Sequence, residues 1–424
     1  MFEPGSFLWS VMRHFPSRAV LATALCISLL SACGKDAPAA QAAPVKMGTS
    51  DLAAIGKAAF FDPSLSASGK QSCASCHSPA NAYGPPNGLA VQLGGPKLDR
   101  AGLRSVPSLR YLRSVPYWTY TQANSLKERL EDGDNQPIGG YTWDGRYNTP
   151  ADQAAFPLLN PDEMANTGAD DVAKKLSKSA YAQQFREAFG QNVFSRPAQA
   201  LADLGKALQA FQFNDPSFAP YSSKFDRVLD GKDQFTPQEA HGLALFSDPD
   251  KGNCASCHLI NKGAQGTHPA LTDYNFQTLG VPRNMDIPAN RDPNFYDMGL
   301  CGPLREDQAK QQKWFCGMFR TPTLRNVGTR AAFFHNGMFH TLEDATRFYV
   351  QRDTNPKKWY PKDAHGQVVK FDDLPKNLRS NVDIKTQPLT NHLGGKPVWS
   401  DSDIHDVVAF MNTLTDADAK TVPR

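Results

Sequence analysis

The chain has 424 residues, with 45 Lys and Arg against 42 Asp and Glu and a formal net charge of +3 at pH 7. A length of this order accommodates two ordinary domains, and the near-balance of charge excludes the basic surface of a nucleic-acid or polyanion binder. With 31 glycines and 32 prolines, long loops between short helices are expected.

Residues 1–32 read as an export signal. Arg13 and Arg18 supply a basic region, and Ala19 to Leu30 form an apolar stretch too short to span a bilayer. Leu30-Ser31-Ala32-Cys33 is similar to a bacterial lipobox, which makes Cys33 the expected lipid anchor of the mature chain; the alternative is an ordinary signal peptide cut nearby. Residues 33–49, rich in Ala and Pro, read as a flexible tether. No later segment is long and apolar enough to cross a membrane, so a periplasmic protein is expected, touching a membrane only through its lipid.

Two identical CASCH motifs follow, Cys73–His77 and Cys254–His258. In CxxCH the spacing of the two thiols matches the two vinyl groups of a haem, and the adjacent His lies under the iron. A zinc ribbon would bring its CxxC pairs much closer in sequence, and a redox CxxC needs no following His. Two covalent haem c groups are therefore expected, held by Cys73, Cys76, Cys254 and Cys257, with His77 and His258 as proximal ligands. Of the eight cysteines, Cys26 lies in the signal and Cys33 at the lipobox, which leaves Cys301 and Cys316. In an oxidising compartment a Cys301–Cys316 disulfide is expected over two free thiols, contributing about 3 kcal/mol.

A related segment precedes each motif: Gly56-Lys57-Ala58-Ala59-Phe60-Phe61-Asp62-Pro63, then Gly242-Leu243-Ala244-Leu245-Phe246-Ser247-Asp248-Pro249. Gly, Phe, Asp and Pro keep their offsets. Thr236, Pro237 and Glu239 predict a capped helix start, and Asp-Pro predicts the end of each helix. One unit used twice points to two cytochrome c-type domains, 50–215 and 216–424, in a mainly α fold with long haem-wrapping loops. Residues 214–231 form the expected connection after the amphipathic segment Ala198 to Phe211. A last helix is predicted over Ile404 to Leu414, with Asp401 and Asp403 at its positive end.

In this order the motifs resemble the bacterial diheme cytochrome c peroxidase superfamily, which includes the MauG-type enzymes, over about residues 50–416. Besides the two haem motifs, the landmarks are Trp143-Asp144-Gly145-Arg146, Pro157-Leu158-Leu159-Asn160-Pro161-Asp162-Glu163-Met164, Arg320-Thr321-Pro322-Thr323-Leu324-Arg325-Asn326-Val327, Phe334-His335-Asn336-Gly337 and Thr341-Leu342-Glu343-Asp344. The resemblance implies a peroxide-reacting first haem and an electron-transfer second haem. It makes Glu163 the distal acid–base, Gln153 the distal amide, Pro157 a proline over the first haem and Trp143 the aromatic between the haems. By residue type alone, Glu163 also fits a helix cap, Gln153 a surface amide and Trp143 ordinary core.

The sequence departs from the common family pattern at three places. Between Ser78 and Arg110 there is no His, and the position of the usual blocking His falls at Gly94-Gly95, so the first iron is expected to be open and ready for peroxide. At the sixth ligand of the second haem, where common peroxidases have Met, stands Tyr349, as in MauG-type enzymes. A phenolate favours higher oxidation states where a thioether favours ferrous iron, so this haem is expected to store an oxidising equivalent received through Trp143. The alternative is a core Tyr349, with Met338 or another residue as ligand. The resemblance also implies a possible calcium ion between the haems, but the Asn that supplies its side-chain ligand is Ser105 here, and the Thr and Pro whose carbonyls help are Arg330 and Ala332, whose backbone oxygens remain available. The implied reaction is hydrogen peroxide reduction with electrons from a small cytochrome, copper protein, quinol or protein substrate. A MauG-like oxidase acting on a protein at a distance and a non-enzymatic diheme electron carrier are the alternatives.

Overall fold

The computed structural model describes residues 48–120 and 136–419; the signal segment, Cys33 and the tether up to residue 47 lie outside them. Pro44–Arg424 forms one compact unit. It is mainly helical. Strand among the described residues is confined to two short antiparallel pairs, Leu93–Gly94 with Arg100–Ala101 and Phe276–Gln277 with Phe319–Arg320.

Two main hydrophobic cores fill it. The first is drawn from residues between Ile55 and Phe218, the second from residues between Phe225 and Leu414. Each core is built around the helix that precedes a CASCH motif. Thr49–Phe60 packs against the long helix Pro197–Asn214, and Pro237–Ser247 against Asp401–Asn412. The glycine that keeps its place in both segments has the same task in both. A Cβ at Gly56 would stand 1.9 Å from the Ala207 carbonyl oxygen, and one at Gly242 would stand 1.9 Å from that of Asp406. Only a residue without Cβ allows helix backbones to cross this closely. The repeated phenylalanines, Phe60 and Phe246, are both buried.

Capping sets the helix ends. Thr236 accepts from the Glu239 amide in the expected capping box. The last helix runs Asp401–Asn412 rather than Ile404 to Leu414, because Ser400 caps it through a box with Asp403. Asp62-Pro63 does not merely stop the first helix: the Asp62 carboxylate accepts from Ser64 N and opens a 3-10 turn, Pro63–Leu65. The expected connection 214–231 contains its own helix, Lys224–Leu229, and the chain passes from one core to the other between Phe218 and Phe225. A third, small cluster around Phe276, Leu300 and Phe315 lies beside the Cys301–Cys316 disulfide.

Buried ion pairs tie distant segments together. The Arg325 guanidinium donates to both Asp226 oxygens at 3.0 Å, and Arg110 donates to Asp416 at 2.9 Å. No helix among the described residues is long and apolar enough to cross a membrane.

Candidate active site

The two identical motifs fold differently. Cys73–Cys76 is a turn of α-helix, whereas Cys254–Ser256 is a 3-10 turn. Both nevertheless present their histidine in the same way. His77 Nδ1 lies 3.1 Å from the Tyr83 carbonyl oxygen, and His258 Nδ1 lies 3.0 Å from that of Leu271. Both acceptor residues have a left-handed backbone, φ 55°, which turns the chain back over its histidine. An imidazole that donates through Nδ1 is fixed in the tautomer whose Nε2 lone pair is free for a metal. Burial pushes the basicity of both rings down, that of His77 to about 4, so both are neutral at neutral pH.

The four motif cysteines form no disulfide. Burial pushes their thiols up, Cys73 and Cys254 to about 12 and Cys76 and Cys257 to about 11. A redox CxxC pair works through a lowered thiol, so this environment does not suit that chemistry. A cavity opens beside the second motif, lined by Cys254, Cys257, His258, Tyr349, Trp143 and Arg330. Arg320 lines it too, and its Nε has no hydrogen-bond partner. Among the described residues neither Arg320 nor Arg330 forms an ion pair with a carboxylate. Paired thiols, a free imidazole nitrogen and guanidiniums with no directly paired carboxylate suit a group carrying two vinyls and two carboxylates, so the residues fit haem c.

Around the first motif, Glu163 is held by Asn160, whose Nδ2 donates to Oε1 at 2.8 Å. Its charge acts on both Cys73 and Cys76, which places the carboxyl on the motif's side of the first core. Burial raises the Glu163 carboxyl above the usual glutamate value of 4.5, against the pull of the Asn160 bond and the Arg146 charge. Gly94 and Gly95 dock directly on this segment. Gly95 N donates to the Glu163 carbonyl at 2.7 Å, and a Cβ at Gly94 would stand 2.3 Å from the Asp162 carbonyl oxygen and 2.7 Å from Glu163 Cα. Gln153 ends the short helix Pro150–Gln153, and Pro157 lies in the next, Ala155–Leu159. The Pro157 carbonyl accepts from Met164 N at 3.0 Å, beside Glu163, while no hydrogen bond joins Gln153 to Glu163 among the described residues.

Tyr349 lies on helix Leu342–Gln351. Its neighbour Phe348 is fully buried in the second core, whereas Tyr349 faces the cavity of the second motif; Met338 packs against the core and does not line that cavity. Burial pushes the Tyr349 phenol up.

Trp143 is buried, and its Nε1 donates to the Ser105 carbonyl at 2.7 Å. Ser105 N in turn donates to the His335 carbonyl at 2.7 Å, and Leu109 N, four residues on, donates at 3.2 Å to the Tyr83 carbonyl that holds the His77 ring. The segment from Ser105 to Leu109 thus links Trp143, in the cavity of the second motif, to the carbonyl that orients the histidine of the first. Sequence reasoning missed this link, the carbonyls of Tyr83 and Leu271, Asn160 and Arg320. Asn160, three residues before Glu163, and Arg320 both stand in quoted motifs, but neither was given a role there.

Comparisons with known proteins agree on one group. Residues 50–234 match the family model of di-haem cytochrome c peroxidases. The chain is 32% identical to the methylamine utilization protein MauG of Paracoccus denitrificans, over 86% of this chain and 88% of that protein. It is 29% identical to the cytochrome c551 peroxidase of Nitrosomonas europaea, over 77% and 81%. The crystal structure of the diheme peroxidase BthA from Burkholderia thailandensis superposes with a TM-score of 0.78 at 40% identity, covering 88% of each chain.

Proposed function

The chain belongs to the superfamily of di-haem cytochrome c peroxidases and MauG proteins and is a peroxidase-type oxidoreductase; from this premise we propose that it reduces hydrogen peroxide over His77, with Glu163 as acid–base. The observation that carries this reading is the pairing of Glu163 with Gly94-Gly95. Glu163 turns a buried carboxyl to the side of Cys73 and Cys76, and its own backbone packs against two glycines that offer no side chain to block an iron.

Cys73 and Cys76 would hold the first haem, with His77 as its iron ligand, and Cys254 and Cys257 would hold the second, with His258 and Tyr349 as its ligands. When bound, the haems supply the iron chemistry of O–O cleavage and hold the oxidising equivalents. Glu163 accepts the proton of the attacking peroxide oxygen and returns it to the departing one, for which a carboxyl raised toward neutrality is suited. Pro157 helps exclude other ligands from that side, and Gln153 orients peroxide or water. Trp143, fixed by the Ser105 carbonyl, is the aromatic through which charge passes between the two halves. Tyr349 favours the oxidised state of its haem. The electron donor is a small cytochrome, a copper protein, a quinol or a protein side chain. In this reading the protein works in the periplasm, with the lipobox residue Cys33 as its lipid anchor.

The deciding measurement is EPR of the ferric protein before and after one equivalent of peroxide. One high-spin and one low-spin haem, both lost on addition without a porphyrin radical, is the expected result. Two low-spin haems at rest would overturn the reading.

Tyr349 and the 32% identity to a MauG protein favour a second reading, an oxidase that modifies a protein substrate at a distance. Turnover with small-donor reductants supports the peroxidase; peroxide-dependent modification of a co-purified protein, without such turnover, supports the oxidase.

A further inference from the structure

Arg330 is the cation at the junction of the two candidate haem sites. It lines the cavity of Cys254, His258 and Tyr349, and its charge also acts on the His77 ring of the other half. Its Nη2 donates to the Val106 carbonyl at 3.0 Å and to Ser105 Oγ at 3.4 Å, and its Nε donates to the Ala332 carbonyl at 3.3 Å. Among the described residues no carboxylate pairs with it. Burial is the one influence on its basicity, lowering it to about 10, so the side chain stays charged at neutral pH.

The partners of this guanidinium coincide with positions at which the family resemblance would have a calcium ion take its ligands: Ser105 and Ala332, with Arg330 itself at a third. Calcium requires roughly six to eight oxygen ligands at about 2.3–2.6 Å, usually with carboxylates among them. Here Ser105 Oγ and the Ala332 carbonyl accept from a guanidinium, and among the described residues no three His, Cys, Asp or Glu side chains converge on one point. The residues present do not fit calcium.

We propose that the Arg330 guanidinium takes the place of a calcium ion in this protein, as a built-in cation that holds the segment from Ser105 to Leu109 between the two haem sites, and that the protein therefore needs no calcium. The geometry gives the reason for such a cation. Ser105 carries the Trp143 indole on its carbonyl and the His335 carbonyl on its amide, and Leu109 of the same segment donates to the Tyr83 carbonyl that holds the His77 ring, so whatever pins residues 105–106 positions the whole link. A guanidinium does this with a planar fork of donors and a charge that does not dissociate. Arg330 is thus a positioning residue. The proposal rests on the haem placement described above but not on the peroxide reaction.

Two measurements on the full-length holoprotein test it, neither involving turnover. The first is calcium content by mass spectrometry after equilibration with calcium and desalting, followed by EGTA treatment. Substoichiometric calcium, and ferric optical and EPR spectra unchanged by EGTA, are expected. One calcium retained per chain, or spectra altered by EGTA, would overturn the proposal. The second is the reduction potential of each haem in Arg330→Gln and Arg330→Lys. Loss of a nearby positive charge disfavours ferrous iron, so Arg330→Gln should lower both potentials while Arg330→Lys leaves them near wild type. Unchanged potentials in Arg330→Gln, or equal shifts in both variants, would show that the cation has no such role. If Arg330→Gln does not fold, Arg330→Lys and the calcium measurement still decide.

Discussion

Replacing Glu163 by Gln isolates the proton-transfer step. The side chains are nearly isosteric, and the Gln carbonyl can still accept from Asn160 Nδ2, which donates to Glu163 Oε1 at 2.8 Å. Packing against Gly94 and Gly95 runs through the Glu163 backbone and is untouched. What disappears is the ability to take up and return a proton. General acid–base groups contribute about 10²- to 10⁴-fold in rate, equivalent to roughly 3–5 kcal/mol at about 1.4 kcal/mol per tenfold. Stopped-flow absorbance after peroxide addition should show a loss in that range. Stability should move the other way. The Glu163 value is raised in the folded state, so its contribution is fully present below 4.5 and is lost as pH rises through the raised value. The variant carries no such penalty and should unfold no more easily than wild type at neutral pH. Because the carboxylate form is the base, the wild-type rate should climb as pH passes the raised value, and the Gln variant should lose that limb. A wild-type rate in a folded variant would refute the acid–base assignment.

Three further outcomes follow from the geometry. Tyr349→Met should raise the reduction potential of the second haem, read by spectroelectrochemical titration, because a thioether stabilises ferrous iron; an unchanged potential would remove Tyr349 from the ligand set. Gly94→Ala forces a Cβ to within 2.3 Å of the Asp162 carbonyl oxygen, so denaturant unfolding should show a loss of about 1–3 kcal/mol, accompanied by a slower peroxide reaction as Glu163 is displaced. Arg325→Met leaves Asp226 buried without its partner and should cost about 3–5 kcal/mol in the same assay. Burial alone would raise the Asp226 carboxyl, but the Arg325 bond and charge hold it below its usual 3.8; this pair's stabilisation is present above that value and lost as pH falls through the lower folded one, and the variant should lose that acid dependence.

What the sequence determined by itself is what depends on near neighbours along the chain. A CxxCH spacing, a Thr236–Glu239 capping box and a glycine held before an Asp-Pro involve groups a few residues apart, whose geometry the backbone largely dictates. The two motifs, the helix before each and the mainly α class were legible for that reason. The last helix begins three residues before the predicted Ile404 because the Ser400–Asp403 capping box, and not the apolar face of Val407, Val408 and Met411, sets its start. The family landmarks pointed to Glu163, Trp143 and Tyr349 but not to what holds them. Tertiary structure alone decided that Gly94 backs onto Glu163, that Asp226 meets Arg325 and that Arg330 reaches Ser105 across 225 residues of chain. Nothing local marks an arginine as lacking a directly paired carboxylate or a glycine as a docking point. Both properties arise from which oxygens the folded chain brings within reach and which it keeps away.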